Sequence, residues 1–510
     1  MTLPRDFEEY TRKLMGDDLY TTLIRGLAQE APTSIRLNPF KTTLCQHHDR
    51  QTAGLQQASP VSWCNQGLYL ADRPNFTFDP LFHAGLYYVQ EASSMFVGHI
   101  LRQLIHHPVL MLDLCAAPGG KTTVARAALP EGSLLFSNEP MKLRASVLSE
   151  NVQKFGHPDV VVTNNFPKDY QKSGLLFDVV LADVPCSGEG MFRKDEGAIG
   201  EWSVQNVEKC QMLQRSIVED IWPCLAEGGI LIYSTCTFNA HENEENVDWI
   251  ANHLGADFVE IDTRPEWNLT GSLINEHPVY RFIPGKTKGE GLFVAVLRKR
   301  GQHVSALEQL KADTNKPSRK QRRQKLRSQD RATSEDSCRA WVDGHFSITQ
   351  NQGTIVAIPT WWQHLDERAQ KTLHIVHAGV TLGTEKGHGI IPHTSLALSR
   401  AIATGAFPCI GTDYKTAISY LRKEAITLPS DAPRGFVIIT YRTHPLGFVK
   451  NIGSRANNLY PQEWKIKSTH LPQYSVEVLP DTCCMPADQD PIAHRESLHT
   501  SQANEESPTP

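Results

Sequence analysis

The sequence predicts an α/β protein: a Rossmann-like, mostly parallel sheet with a small unit before it and an α+β module after it. Three observations lead there. Between about residues 86 and 300, apolar runs of strand length alternate with helical patterns, as in a parallel sheet covered by helices on both faces. A glycine-rich turn, A-A-P-G-G-K, joins the first of these runs to a helix. A polar, basic stretch then separates this region from a second globular segment.

Residues 1–85 read as the leading unit. D-F-E-E-Y-T-R-K-L-M is a short amphipathic helix, and S-I-R-L-N-P-F-K is a strand ending at a proline. Y-Y-V-Q-E-A-S-S-M-F-V begins the next unit, residues 86–300. There V-L-M-L-D-L, L-L-F-S-N, V-V-V-T-N, F-D-V-V-L-A and G-I-L-I-Y-S are strands, and G-L-F-V-A-V-L-R-K closes the set. The helix M-K-L-R-A-S-V-L-S-E-N-V-Q-K-F-G stops at Gly156, and the one from Asn206 to Ala226 stops at Gly228-Gly229. Residues 301–340 are a basic linker. Their Arg319, Lys320, Arg322, Arg323, Lys325 and Arg327 suit phosphate as well as solvent. Residues 341–468 alternate strand-like and helical runs and read as a small α+β module. Residues 469–510, rich in Ser, Pro, Glu and Gln, read as a disordered tail.

Bulk properties narrow the partners. The 510 residues carry a net charge of −5, so a nucleic acid would have to be held by local basic surface rather than by overall charge. The eleven cysteines lack C-x-x-C spacing. They read as reduced thiols of a cytoplasmic protein and not as zinc ligands or a disulfide framework. The first residues, M-T-L-P-R-D-F-E-E-Y, lack the apolar core of a signal peptide, and no apolar run reaches a membrane span. A monomer without metal is expected.

The turn Asp113–Thr123, D-L-C-A-A-P-G-G-K-T-T, has the small residues that let a backbone approach a ligand, followed by the free N–H groups of a helix start. Three nucleotide-like ligands compete for it. A P-loop requires glycine where Cys115 stands, and the G-x-G-x-x-G of a dinucleotide fold is absent. S-adenosylmethionine remains, its backbone contacts coming from Cys115, Ala116, Ala117, Pro118, Gly119 and Gly120. Its ribose requires an acid at the end of the next strand, and Glu139 in S-N-E-P stands there.

Two cysteines are candidates for the chemistry. Cys186 lies in D-V-P-C-S-G-E-G, three residues after Asp183, and Cys236 lies in Y-S-T-C-T. Each follows a strand, and reactive groups of an open α/β sheet gather at the carboxyl ends of strands, so both thiols should reach one crevice. Two thiols, an acid and a methyl donor are what methylation of a pyrimidine ring carbon requires. Cys210, Cys224 and Cys409 read as small packing residues, and Cys115 contributes packing or backbone contact. The acidic run His241 to Glu245 reads as a solvated helix start.

A-A-P-G-G-K, N-E-P, D-V-P-C-S-G-E-G and S-T-C-T followed by E-N-E occur in this order, flanked by Y-V-Q-E-A-S-S and G-E-G-L-F-V-A. As a set they resemble the RNA cytosine-C5 methyltransferases of the Nol1/Nop2/Sun family. R-L-N-P is similar to that family's N-terminal RNA-contacting region. L-G-F-V-K and Y-P-Q-E-W are similar to the RNA-binding extension of the bacterial RsmF-type members, which act on small-subunit ribosomal RNA. The resemblance implies a class I S-adenosylmethionine-dependent methyltransferase fold and an RNA substrate, 16S rRNA before tRNA. It implies Cys236 as the nucleophile that adds to carbon 6 of cytosine and Cys186 as the group assisting proton removal and product release. It also implies Asp183 at the base's Watson–Crick edge and beside the cofactor, and Lys121 among the cofactor-binding residues. One departure stands out: where members of the family often carry an acid near the adenine, this chain has T-N-N-F-P-K-D-Y. Asn164 or Asn165 bonding the adenine edge and Phe166 stacking on it all stay open. Arg193, Lys194, Lys450 and Arg455 are candidate phosphate contacts. An RNA-binding assembly factor whose methylation is dispensable is the alternative from another class.

Overall fold

A computed structural model describes residues 2–42, 57–303, 305–308, 338–351, 353–387 and 389–480. The basic run Arg319–Arg327 and the chain beyond 480 lie outside the described residues.

Helix α1 (Arg5–Leu27) is longer than its sequence pattern suggested and is interrupted at Gly16, whose φ of 74° only glycine adopts freely. Strands β1 (Ser34–Leu37), β2 (Ser59–Val61), β3 (Cys64–Tyr69) and β4 (Tyr87–Val89) form an antiparallel sheet in the order β2-β3-β1-β4, with helix α2 (Pro80–His83) before β4. Because β4 pairs with β1 through Ile35↔Val89 and Leu37↔Tyr87, the leading sheet runs past residue 85 and takes in the strand assigned from sequence to the following unit.

Helix α3 (Phe96–Leu104) leads into the central sheet. Its strands are β5 (Leu110–Asp113), β6 (Leu134–Asn138), β7 (Val160–Thr163), β8 (Phe177–Asp183), β9 (Leu225–Thr235), β10 (Ala256–Phe258), β11 (Val279–Phe282) and β12 (Leu292–Lys299). Helix α4 (Gly120–Ala128) follows β5 and helix α5 (Lys142–Phe155) follows β6. The five strands β7-β6-β5-β8-β9 are parallel, whereas β12 is antiparallel to β9 and also pairs with β10 and β11. The β11–β12 connection is too short for a crossover, so the pair closes as antiparallel neighbours. Alternation across the sheet sorts the core. Leu110, Leu112, Val180 and Leu231 pack on one face with Val218, Ile221 and Trp222. Met111, Val179, Leu181 and Ile232 pack on the other with Val97, Ile100 and Val124. From β5 the chain builds outward to β7, then returns to β8 on the other side, which makes the gap between β5 and β8 the topological switch point.

The remaining strands are β13 (Phe346–Asn351), β14 (Thr354–Pro359), β15 (Ile375–Ala378), β16 (Val380–Lys386), β17 (Gly389–Pro392), β18 (Cys409–Thr412), β19 (Gly435–Tyr441), β20 (His444–Asn451) and β21 (Ala456–Asn458). They form two four-stranded sheets, β13-β14-β16-β17 and β18-β19-β20-β21, with one exception. Strand β15 leaves its own module and pairs antiparallel with β7, through Ile375↔Thr163 and Ala378↔Val161, as the last strand of the central sheet. The second sheet shares a core with the leading unit: Ile35, Leu81 and Tyr87 pack with Tyr420, Ile439, Tyr460 and Trp464. Val478 and Leu479 belong to that core, so the segment read as a tail from 469 is anchored as far as it is described. Among the described residues no helix is long and apolar enough to cross a membrane.

Candidate functional site

Register brings the two thiols together. In the parallel pair β8–β9, Asp183 lies opposite Ser234. The chain past each strand then delivers Cys186 and Cys236 with their Sγ atoms 3.2 Å apart, and the Cys236 backbone N–H points to Cys186 Sγ at 3.4 Å. Both cysteines are half-buried. The hydrogen bond to Cys236, and after it burial, push the Cys186 thiol well above the ordinary cysteine value. Cys186 therefore holds its proton. Asp183 is fixed on both oxygens: Oδ1 accepts from Ser234 Oγ at 2.7 Å and Oδ2 from Lys121 Nζ at 2.9 Å. Burial pulls the Lys121 ammonium down, but the Asp183 carboxylate outweighs it and holds the group above the usual lysine value.

The two thiol-bearing loops are stitched to each other by buried acids. Glu242 Oε2 accepts from the Ser187 N–H at 3.0 Å and Gln214 Nε2 at 2.6 Å, and its Oε1 from Asn239 Nδ2 at 2.9 Å. Glu189 reaches the other way: its Oε2 accepts from the Asn239 N–H and its Oε1 from Trp202 Nε1. The Gly190 N–H donates to the Cys236 carbonyl at 2.7 Å. Glu244 forms a buried ion pair with Arg281, which also donates to the Phe238 carbonyl at 2.8 Å. A helix does begin at Glu244 and His241 and Glu245 are half-exposed, but Glu242, Asn243 and Glu244 are fully buried, which corrects the reading of this run as solvated. The density of acids and amides immediately after S-T-C-T was the available signal. Unexposed acids there must be paired.

The expected cofactor turn opens at the switch point. Ala116 N–H donates to the Asn138 carbonyl, Arg144 Nη2 to the Ala117 carbonyl at 3.0 Å and Asn151 Nδ2 to the Pro118 carbonyl at 2.8 Å. Gly119 has φ 114°, and a Cβ there would meet Leu148 at 3.2 Å. Gly120 and Lys121 start α4. Around the turn two buried carboxylate oxygens have no hydrogen-bond donor, Glu139 Oε2 and Asp113 Oδ1. Arg144 Nη1 stands 3.5 Å from the former. Burial raises Asp113 to about 7, and burial keeps the Cys115 thiol neutral, so Cys115 packs rather than reacts. Unfilled acceptors beside a glycine turn fit the ribose hydroxyls and ammonium of S-adenosylmethionine. Of the three residues left open near the adenine, Asn164 donates its amide to the Glu139 and Pro140 carbonyls. Asn165 Oδ1 accepts from the His374 N–H at 3.0 Å, and Phe166 is 62% exposed and free to stack.

Sequence reasoning passed over Arg36. It comes from β1 of the leading unit, is 1% exposed, and reaches Gln90 and Thr123 at the start of α4, tying that unit to the cofactor turn. Two expected phosphate contacts are engaged elsewhere: Arg193 donates to the Gly26 and Gly289 carbonyls, and Lys194 pairs with Glu290. Lys450 and Arg455 are exposed.

The 16S rRNA methyltransferase RsmB/F family matches residues 104–298, the N-terminal domain of 16S rRNA methyltransferase RsmF matches 3–92, and the methyltransferase RsmF PUA domain matches 407–466. The chain is an RsmF-like member of the Nol1/Nop2/Sun family. Ribosomal RNA small subunit methyltransferase F of Erwinia tasmaniensis is 28% identical over 470 residues, spanning 90% of this chain and 96% of that protein. The protein of the same name from Escherichia coli O157:H7 is 29% identical over 463 residues, spanning 88% and 93%. A crystal structure of a methyltransferase homolog from Pyrococcus horikoshii superposes with a TM-score of 0.50 at 24% identity, covering 58% of this chain and 95% of that one, and supports the fold. The family is one of S-adenosylmethionine-dependent rRNA methyltransferases, and S-adenosylmethionine is the cofactor.

Proposed function

We propose that this protein methylates carbon 5 of a cytosine in 16S rRNA through a covalent Cys236–carbon 6 adduct. The observation that carries the reading is the thiol pair at 3.2 Å, beside a doubly anchored Asp183 and the cofactor turn. Carbon 5 of cytosine is a poor nucleophile. Addition of Cys236 Sγ to carbon 6 forms an S–C bond and turns the ring into an enamine whose carbon 5 is nucleophilic. Asp183 accepts from the exocyclic N–H at the Watson–Crick edge and positions the base, and the Lys121 ammonium paired with it offsets the negative charge that develops on the ring. The cofactor, when bound, supplies an electrophilic methyl group. Cys186 gives its own proton to the departing Cys236 Sγ 3.2 Å away and takes up the one that leaves carbon 5, as the S–C bond breaks and aromaticity returns. Exocyclic amine methylation requires no thiol, so a second thiol in contact with the first favours ring-carbon chemistry. The base must leave its stack to reach the pair, at a few kcal/mol, which favours unpaired or distorted RNA. The names of the relatives favour small-subunit rRNA over tRNA, and a cytoplasmic site of action accompanies that substrate.

A Cys186→Ala variant expressed in its host tests the reading. It should stall as a protein–RNA adduct stable on a denaturing gel, and the trapped RNA should be a 16S fragment. A trapped tRNA overturns the substrate. Absence of an adduct while the wild type makes 5-methylcytosine overturns the roles given to the two cysteines. A wild type that makes none overturns the activity and leaves the assembly-factor alternative.

A further inference from the structure

A cavity of about 550 Å³ opens between strands β14 and β16, the segment leading into β15, and the helix Gln363–Ala369. Its wall is apolar along Val356, Ile358 and Leu373 and carries Thr381 at one side. Asp366 lines it and is 3% exposed. Its Oδ2 accepts from Gln370 Nε2 at 2.6 Å, whereas Oδ1 is buried with no hydrogen-bond donor. Burial raises this carboxyl to about 6, so it is an acceptor at neutral pH. A buried carboxylate oxygen without a donor is destabilising unless something supplies one. The rim reaches the cofactor edge of the central sheet. His374, which lines the cavity, accepts from the Asn164 N–H at 3.0 Å through its carbonyl and donates its N–H to Asn165 Oδ1. Asn164 in turn holds the Glu139 carbonyl.

We infer that this cavity takes an unstacked guanine of the RNA substrate, its faces against Val356 and Ile358 and its N1–H and N2–H donors on Asp366. The inference rests on the RNA-substrate reading above. Guanine is selected by its edge. It offers two adjacent N–H donors to one carboxylate, whereas adenine and cytosine offer one donor beside a ring acceptor that a carboxylate repels. Uracil offers one N–H between two carbonyls. Single-stranded RNA is commonly read this way, with a splayed base held by its edge and faces. The site would fix a nucleotide outside the target cytosine and so contribute to choice of sequence.

The full chain, saturated with S-adenosylhomocysteine to block the cofactor crevice, is titrated calorimetrically with 5′-GMP, AMP, CMP and UMP. GMP should bind at least about tenfold more tightly than the others, the scale of one good bidentate contact. Asp366→Asn should lose about the same factor for GMP, and Thr381→Trp, which fills the space, should abolish binding while thermal melts report the fold of each variant. Both should raise KM for a 16S fragment. Equal binding of the four nucleotides, GMP binding unaffected in both variants, or no GMP binding at all overturns the inference. GMP binding that depends on Asp366 in a protein that methylates no RNA would overturn the catalytic reading instead. Methylation without GMP binding would overturn only the guanine site.

Discussion

Glu242→Gln probes how the two thiol loops are held. The substitution keeps the shape of the side chain and replaces one acceptor oxygen by an N–H₂ donor. In the native protein one oxygen serves two donors, Ser187 N–H and Gln214 Nε2, and the other serves one, Asn239 Nδ2. The glutamine will keep its carbonyl at the two-donor position and turn its amide toward Asn239. That loses one charge-assisted bond, about 1.5–3 kcal/mol, weakens two others that no longer meet a full charge, and sets two donors face to face. Relief of the buried charge offsets part of this, because burial raises the Glu242 carboxyl above its ordinary value. The net expectation is a loss of roughly 2 kcal/mol. Asn239 also bonds Thr237 and Glu189, and Ser187 adjoins Cys186, so the distortion reaches both sulfurs. Urea melts at pH 7.5 should show the lower midpoint, and single-turnover methyl transfer should slow by more than the folded fraction explains. A variant within about 0.5 kcal/mol of wild type and with its full rate would mean that Glu242 is protonated in the folded protein and positions nothing.

Asp113→Asn should abolish a pH dependence. Burial holds the native carboxyl at about 7, so the folded state keeps a proton that the unfolded chain has lost. Stability from this group is present below pH 4 and declines as pH rises from about 4 to 7, a total of order 4 kcal/mol at 1.36 kcal/mol per unit. Urea melts of the variant at pH 5 and pH 8 should lack that decline, and an identical decline in both proteins would refute the assignment. Trp362→Phe removes the indole N–H that donates to Asp159 Oδ1 at 2.9 Å from a side chain with no exposure. The loss should be roughly 2–4 kcal/mol from the orphaned acceptor and the smaller ring, with faster limited proteolysis of the C-terminal module. An unchanged midpoint and cleavage rate would show that this contact does not hold the module.

What the sequence revealed and concealed follows from range. The five parallel strands were legible because each is an unbroken apolar run between turn residues, as V-L-M-L-D-L and F-D-V-V-L-A show. That Cys186, Cys236, Asp183, Glu139 and the glycine turn would lie along one edge of the sheet was legible because strand ends converge by rule. Asp183 and Ser234 turned out to be register partners. Strand β15 was not legible. H-I-V-H-A is too short to announce which sheet it joins, and its partner β7 lies far away in sequence. The burial of Glu242 and Glu244 was equally hidden, because a run of acids looks solvated until its donors, among them Arg281, are known. The same applies to Arg36, whose partners Gln90 and Thr123 come from other parts of the chain.

The edge strand β15 has a consequence for biosynthesis. The N-terminal part of the chain, through β12, emerges first with both cysteines of the site and the cofactor turn, yet the outer side of β7 then presents unpaired N–H and C=O groups to the cell. Such an edge is a template for pairing with other chains. It stays open until Ile375–Ala378 have left the ribosome, so the central sheet becomes safe from self-association only when the C-terminal part has been made. A chain cut short after residue 300 would keep its thiols and its cofactor turn and still be a poor enzyme, because its exposed strand would seek a neighbour. Translation order thereby makes the two halves arrive as one working unit.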